Sequence, residues 1–175
     1  SSYSSQYIDF TPVESQDQQR QTLQTPTASQ QQLVSTYDGP PYIAAQYAGG
    51  YPFIDIGNRY LATGVSYDPG VLRTNPQDSS SAPLTQQEIA SQLSSSNALS
   101  KSVLGAANYL TTAICTITQN KPTSVCSDTT IQHIESSLAQ TAQARIASGG
   151  LLAFDITGSP MIADLPVYGL KQQRY

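Results

Sequence analysis

The sequence predicts a mixed α/β fold from three observations. Phe53-Ile54-Asp55-Ile56 and Arg59-Tyr60-Leu61-Ala62-Thr63 are β-prone runs on either side of Gly57-Asn58, the pattern of a hairpin with a two-residue turn. Leu99, Val103, Ala106, Ala107, Leu110, Ala113, Ile114 and Ile117 recur at three- and four-residue steps, which marks one apolar face of a long helix. Asp128 stands ahead of a second such pattern, Ile131, Ile134, Leu138, Ala142 and Ile146, which Gly149-Gly150 stops.

The remaining elements follow in chain order. Ser1 to Phe10 predicts one short strand centred on Tyr7-Ile8-Asp9-Phe10. Pro12 with Glu14, and Pro26 with Thr27, read as helix starts, the second leading through Gln30, Leu33 and Val34 to Tyr37. Asp38-Gly39-Pro40-Pro41 ends that helix. Tyr42 to Gly50 reads as loop. Pro52 enters the hairpin where no ladder donor is lost. Gly64 to Ala82 is rich in turn signals, and Thr85-Gln86-Gln87-Glu88 is a capping box. Asn97 or Ser96 caps the long helix, and Gly105 within it predicts close packing against a neighbour. Leu151 to Ile156 reads as a strand, with shorter strands at Met161-Ile162-Ala163 and Val167-Tyr168.

Composition narrows the functional classes. Charged residues are 11% of the 175, while 23 Ser, 20 Gln and 17 Thr make up about a third of the chain. The net charge is −4, so no basic surplus exists to neutralise phosphates, and nucleic acid is not an expected partner. No apolar run approaches the roughly 18 residues of a membrane span. An anchor upstream of Ser1 is compatible with the chain, which has no initiator Met. Tyr3, Tyr7, Tyr37, Tyr42, Tyr47, Tyr51, Tyr60 and Tyr67 crowd the first 70 residues. Tyr suits interfaces and also covers sheet faces in ordinary domains.

The titratable and nucleophilic side chains are few. Cys115 and Cys126 are too far apart for a Cys-x-x-Cys pair and too few for a metal centre. They read as a structural disulfide closing a short loop, worth roughly 2–3 kcal/mol. Two buried thiols in a reducing cytosol are the alternative. A redox role is disfavoured because Cys115 ends a helix, where the dipole opposes a thiolate. His133 is the only histidine and reads as a surface or packing residue. Asp55 alternates with Ile54 and Ile56 and is a candidate inward-facing acid. An ion pair or turn hydrogen bond with Arg59 is the plainer reading of Asp55, and Asp68 is the other carboxylate near the hairpin. Metal-ligand and phosphate-loop signatures are absent, and no cofactor is expected.

Several ordered segments carry a family resemblance. They are Tyr3 to Glu14, Leu23 to Thr27 with Gln32-Leu33-Val34 and Tyr37-Asp38, and Tyr51 to Tyr60. The last is Ala106 to Cys115, with Val125-Cys126 downstream. Together they resemble a thioredoxin-like family of archaea and actinobacteria, domain of unknown function 929, over about residues 1–127. The resemblance implies a thioredoxin-like or partial thioredoxin-like sheet with its central hairpin at about 53–63. Residues 128–175, which the resemblance does not cover, are expected to add a helix and strand extension packed on it. The resemblance also implies a cis-proline at Pro52. Family members carry a Cys-x-x-Cys upstream of the segment that Ser1 matches. The first strand and active-site helix are therefore expected either to lie upstream of Ser1 or to be replaced within this chain, with the Leu151 to Ile156 strand as the candidate replacement.

Two functions follow as expectations. The first is a non-catalytic, extracytoplasmic binding or structural protein at the cell surface. It is stapled by Cys115–Cys126 and has protein partners or self-associates by strand addition. The alternative is the C-terminal part of a thiol–disulfide oxidoreductase whose dithiol precedes Ser1.

Overall fold

The computed structural model describes residues 4–17, 19–64 and 66–147. It is a mixed fold of helices and one two-stranded antiparallel sheet. The expected strands at Leu151–Ile156, Met161–Ala163 and Val167–Tyr168, and the glycine stop at Gly149-Gly150, lie outside the described residues.

The N-terminal segment departs from expectation. Residues 4–10 form no strand, and Tyr7 and Phe10 are exposed. No helix starts at Pro12. Instead Gln16 bridges Thr22, and the Asp17 carboxylate accepts from the N–H groups of Gln19 and Gln21, closing a tight loop. That carboxylate offers the backbone an alternative to a helix.

Helix α1, Ala28–Tyr37, starts where the sequence places it. The Thr27 hydroxyl accepts from Gln30 N–H, and the Gln30 side chain returns to Thr27 N–H. None of its residues is buried, so caps rather than packing define it. Tyr37 and Tyr42 stack edge to face at 4.9 Å across the Pro40-Pro41 turn that ends it.

The hairpin is β1, Phe53–Ile56, with β2, Tyr60–Thr63. Its register pairs Ile56 with Tyr60, so the connection has three residues and Arg59 belongs to it. The expected two-residue turn is thus corrected by one position. Gly57 and Asn58 both take positive φ, +63° and +51°, and the Asp55 carboxylate holds Asn58 N–H at 2.8 Å. A slip of one residue exchanges the faces of a strand. In the observed register Ala62 lies opposite Ile54, and both join one cluster with Ala106, Tyr67, Tyr109 and Leu110.

Beyond the hairpin, the chain from Pro69 to Pro83 is a pinned loop. Asp68 caps a short 3-10 helix, Pro69–Leu72. Arg73 bridges Pro83, and its guanidinium donates to the Ser81 carbonyl. Helix α2, Gln86–Gln92, carries the expected capping box of Thr85 and Glu88. The Ser100 hydroxyl, buried, donates to the Leu93 carbonyl and ties α2 to the next helix.

Helix α3, Ala98–Ile117, is the organising element, with Asn97 rather than Ser96 as its cap. Ala106 meets the hairpin, and Ile117 lies beneath Gly57 at the turn. Gly105 does not mark a close approach, since nothing lies within 4 Å of the position its Cβ would take. After α3 the chain forms a short helix, α4, Thr123–Cys126, where the sequence reads only as a turn. Helix α5, Thr129–Ala147, then packs against α3, with the Asp128 carboxylate accepting from Thr130 N–H at its start.

Candidate functional site

Cys115 and Cys126 lie 11 residues apart and are joined in a disulfide. Each is 1% exposed, and with Ile131 of α5 they form their own buried cluster. The loop between them is closed by hydrogen bonds of its own. Asn120 N–H donates to the Cys115 carbonyl at 2.7 Å. The Thr118 hydroxyl lies 2.7 Å from the Lys121 carbonyl. The Gln132 side chain donates to the Cys126 carbonyl at 3.0 Å, which binds α5 to the staple. Gln119 and Asn120 both adopt positive φ, so the chain reverses sharply off the end of α3. Sequence spacing names the two cysteines, but Ile131 and Gln132 complete the cluster from the next helix.

Thiol exchange requires an attacking thiolate to reach a sulfur. Both sulfurs here belong to residues sealed from solvent, so the bridge is placed as a staple between α3, α4 and α5. It fixes the end of the helix that carries the hairpin.

Among the described residues no ion pair joins Asp55 to Arg59 at the hairpin. Asp55 lies on the strand face opposite Ile54, away from the α3 cluster, because side chains alternate along a strand. Its carboxylate accepts from Asn58 N–H, whereas the Arg59 guanidinium sits over the Tyr60 ring at 5.6 Å. The contacts found are thus a turn hydrogen bond for Asp55 and a separate cation–π contact for Arg59. Burial pushes the Asp55 carboxyl above the usual carboxylate range, and the Asn58 hydrogen bond opposes that only in part. Asp68 has a backbone donor of its own, Gly70 N–H at 2.8 Å.

Pro52 precedes β1 in a cis peptide bond with Tyr51, and its carbonyl accepts from Gly64 N–H. His133 is exposed on α5. Among the described residues no group of three or more His, Cys, Asp or Glu side chains is placed to hold a metal ion. No described helix is long and apolar enough to cross a membrane. Of the early tyrosines, Tyr47 and Tyr51 are exposed, while Tyr67 packs on the α3 cluster. Tyr3 lies outside the described residues. One polar atom was not foreseen from the sequence: Oδ1 of Asp38, at the end of α1, is buried with no hydrogen-bond partner among the described residues.

No family model, curated protein or solved structure matches the chain. The chemistry of the site therefore rests on the geometry above. Its most constrained feature is the sealed disulfide, which can hold helices together but offers no attacking sulfur.

Proposed function

We propose that the protein is a non-catalytic, extracytoplasmic binding or structural module that works through protein contacts, including self-association by strand addition. The observation that carries this reading is the buried Cys115–Cys126 bridge. A buried disulfide serves a fold that meets an oxidising exterior, where such bridges persist. Low charge and abundant Ser, Thr, Gln and Tyr agree with contact surfaces that are polar without being strongly charged. Strand addition is supported by the sheet itself, which has only two strands among the described residues and so an edge on each side.

The scaffold we propose is related to thioredoxin, in the sense of domain of unknown function 929. The support is the order of elements: a hairpin entered from Pro52, then a long helix packed across one of its faces. An insulin-reduction assay on the 175-residue chain tests the non-catalytic part. The expected outcome is no turnover above buffer with reductant. Turnover that disappears on alkylating Cys115 and Cys126 would overturn the reading.

A further inference from the structure

Helix α3 ends in a backbone stop that lacks its usual residue. Thr118 is the C-cap, and Asn120 N–H donates to the Cys115 carbonyl at 2.7 Å, the long bond of a Schellman stop. Glycine is usual just after the C-cap, because the chain turns left-handed there. In this chain that residue is Gln119, at φ +56°, and Asn120 follows at +59°. A side chain at such φ crowds the backbone and persists only where the surrounding structure imposes it. Burial does not impose it, since both residues are exposed. What constrains the reversal is the Thr118 hydroxyl on the Lys121 carbonyl and the bridge from Cys115 to Cys126, which ties the chain back to the helix it has just left.

The same end of α3 reaches the hairpin. Ile117 follows Cys115 by two positions, and a Cβ built on Gly57 would lie 3.3 Å from Cδ1 and Cγ2 of its side chain. Gly57 begins the turn in which the Asp55 carboxylate holds Asn58 N–H. One helical turn thus carries the bridged sulfur, the carbonyl that accepts the stop, and the side chain on which the hairpin turn rests.

We propose that the Cys115–Cys126 bridge is a redox-sensitive clasp on the hairpin turn. Closed, it holds the stop against the left-handed cost of Gln119, and so holds Ile117 under Gly57. A dithiol reductant opens it. Its thiolate attacks one sulfur when the start of α5 lifts Ile131 away, and the S–S bond breaks through a mixed disulfide. Two electrons and two protons pass to the protein, leaving two cysteine thiols and the dithiol as its own disulfide. Gln119 and Asn120 then relax to negative φ, the Cys115 carbonyl loses its donor, and the last turn of α3 frays with Ile117. The clasp adds a control to the proposed module and is independent of what the module binds.

The test is NMR with amide exchange on the full chain, first oxidised and then in excess dithiothreitol without oxygen. On reduction the Asn58 and Arg59 amides are expected to exchange roughly 5- to 150-fold faster, the ordinary range of coupling between two sites. The nuclear Overhauser contact between the Ile117 methyls and the Gly57 α-protons weakens with them. The Lys101 amide, bonded to the Asn97 carbonyl at the opposite end of α3, keeps its rate. The Cys115→Ala/Cys126→Ala chain gives the same pattern if dithiothreitol does not reach the bridge. Gln119→Gly supplies the usual stop residue and is expected to cancel most of the effect of opening the bridge. Unchanged Asn58 exchange in the opened chain overturns the clasp. Equal acceleration at Lys101 also overturns it, because the bridge then holds the whole fold rather than the turn. An effect as large in Gln119→Gly as in the wild type overturns the left-handed stop as the coupling element.

Discussion

Replacing both Cys115 and Cys126 by Ala isolates the contribution of the staple. The bridge closes a loop with a sequence separation of 11. Loop-closure entropy for about 11 residues corresponds to about 2.8 kcal/mol at 25 °C, because the cross-link restricts the unfolded chain. Removing two buried sulfurs beside Ile131 adds a cavity term of about 1 kcal/mol. The sum, about 4 kcal/mol, is a large share of the roughly 5–15 kcal/mol typical of a domain. An unfolding entropy of about 2 cal/mol/K per residue, over the 142 described residues, turns that sum into a Tm drop of about 14 °C. Calorimetry on the oxidised wild type and the double variant reads it directly. A drop below about 3 °C would refute the reasoning, since it would mean that α4 and the start of α5 hold their places without the bridge.

Three further substitutions probe the hairpin and its supporting helix. Gly57→Ala forces a Cβ into a φ of +63° and to within 3.3 Å of Ile117, so urea unfolding should show a loss of roughly 1–2 kcal/mol. Asn97→Ala removes the cap that accepts from Ser100 N–H at the start of α3, and a loss of about 1 kcal/mol is expected by the same measurement. Asp55→Asn tests a pH dependence. The folded carboxyl titrates above its ordinary 3.8, so the native state holds a proton that the unfolded chain has released, and stability falls as pH rises through that window. The Asn variant, still accepting from Asn58, should be more stable than wild type at neutral pH and should lose that slope in urea titrations from acid to neutral pH. The reverse ordering would show that the Asp55 carboxylate is stabilised by its turn hydrogen bond more than it is penalised by burial.

Much of the helical structure is legible in the sequence because its signals are local. Thr27 with Gln30 and Thr85 with Glu88 are capping boxes whose partners sit three residues apart, and both form. The stripe from Leu99 to Ile117 marks the helix through spacing, but its buried face only in part: Leu99, Ala106 and Ala113 are buried, Ala107 is exposed, and Ser100, Thr112 and Cys115 are buried outside the stripe. The hairpin is legible as an element but not in register. A Gly-Asn pair signals a two-residue turn, whereas the choice of a three-residue turn depends on which face of β2 meets Ala106, a contact some 45 residues away in sequence. Gly105 misleads for a related reason, since a missing side chain permits close packing without supplying the neighbour. At the N-terminus, Tyr7-Ile8-Asp9-Phe10 has strand-forming residues but finds no partner strand among the described residues, and strand propensity is realised only through pairing. The cysteine pair is readable from spacing. Its burial is not, because the lid is Ile131 from a helix that begins after the loop has closed.

The proposed structural role depends on the state and accessibility of two sulfurs. Labelling the folded protein from its native setting with a thiol reagent, without denaturant, and then mapping peptides under non-reducing conditions measures both at once. A sealed staple predicts no labelled cysteine and a single cross-linked peptide joining Cys115 to Cys126. Labelling of either residue in the native protein would contradict it, because a reachable thiol at this position is a reactive group and not a staple.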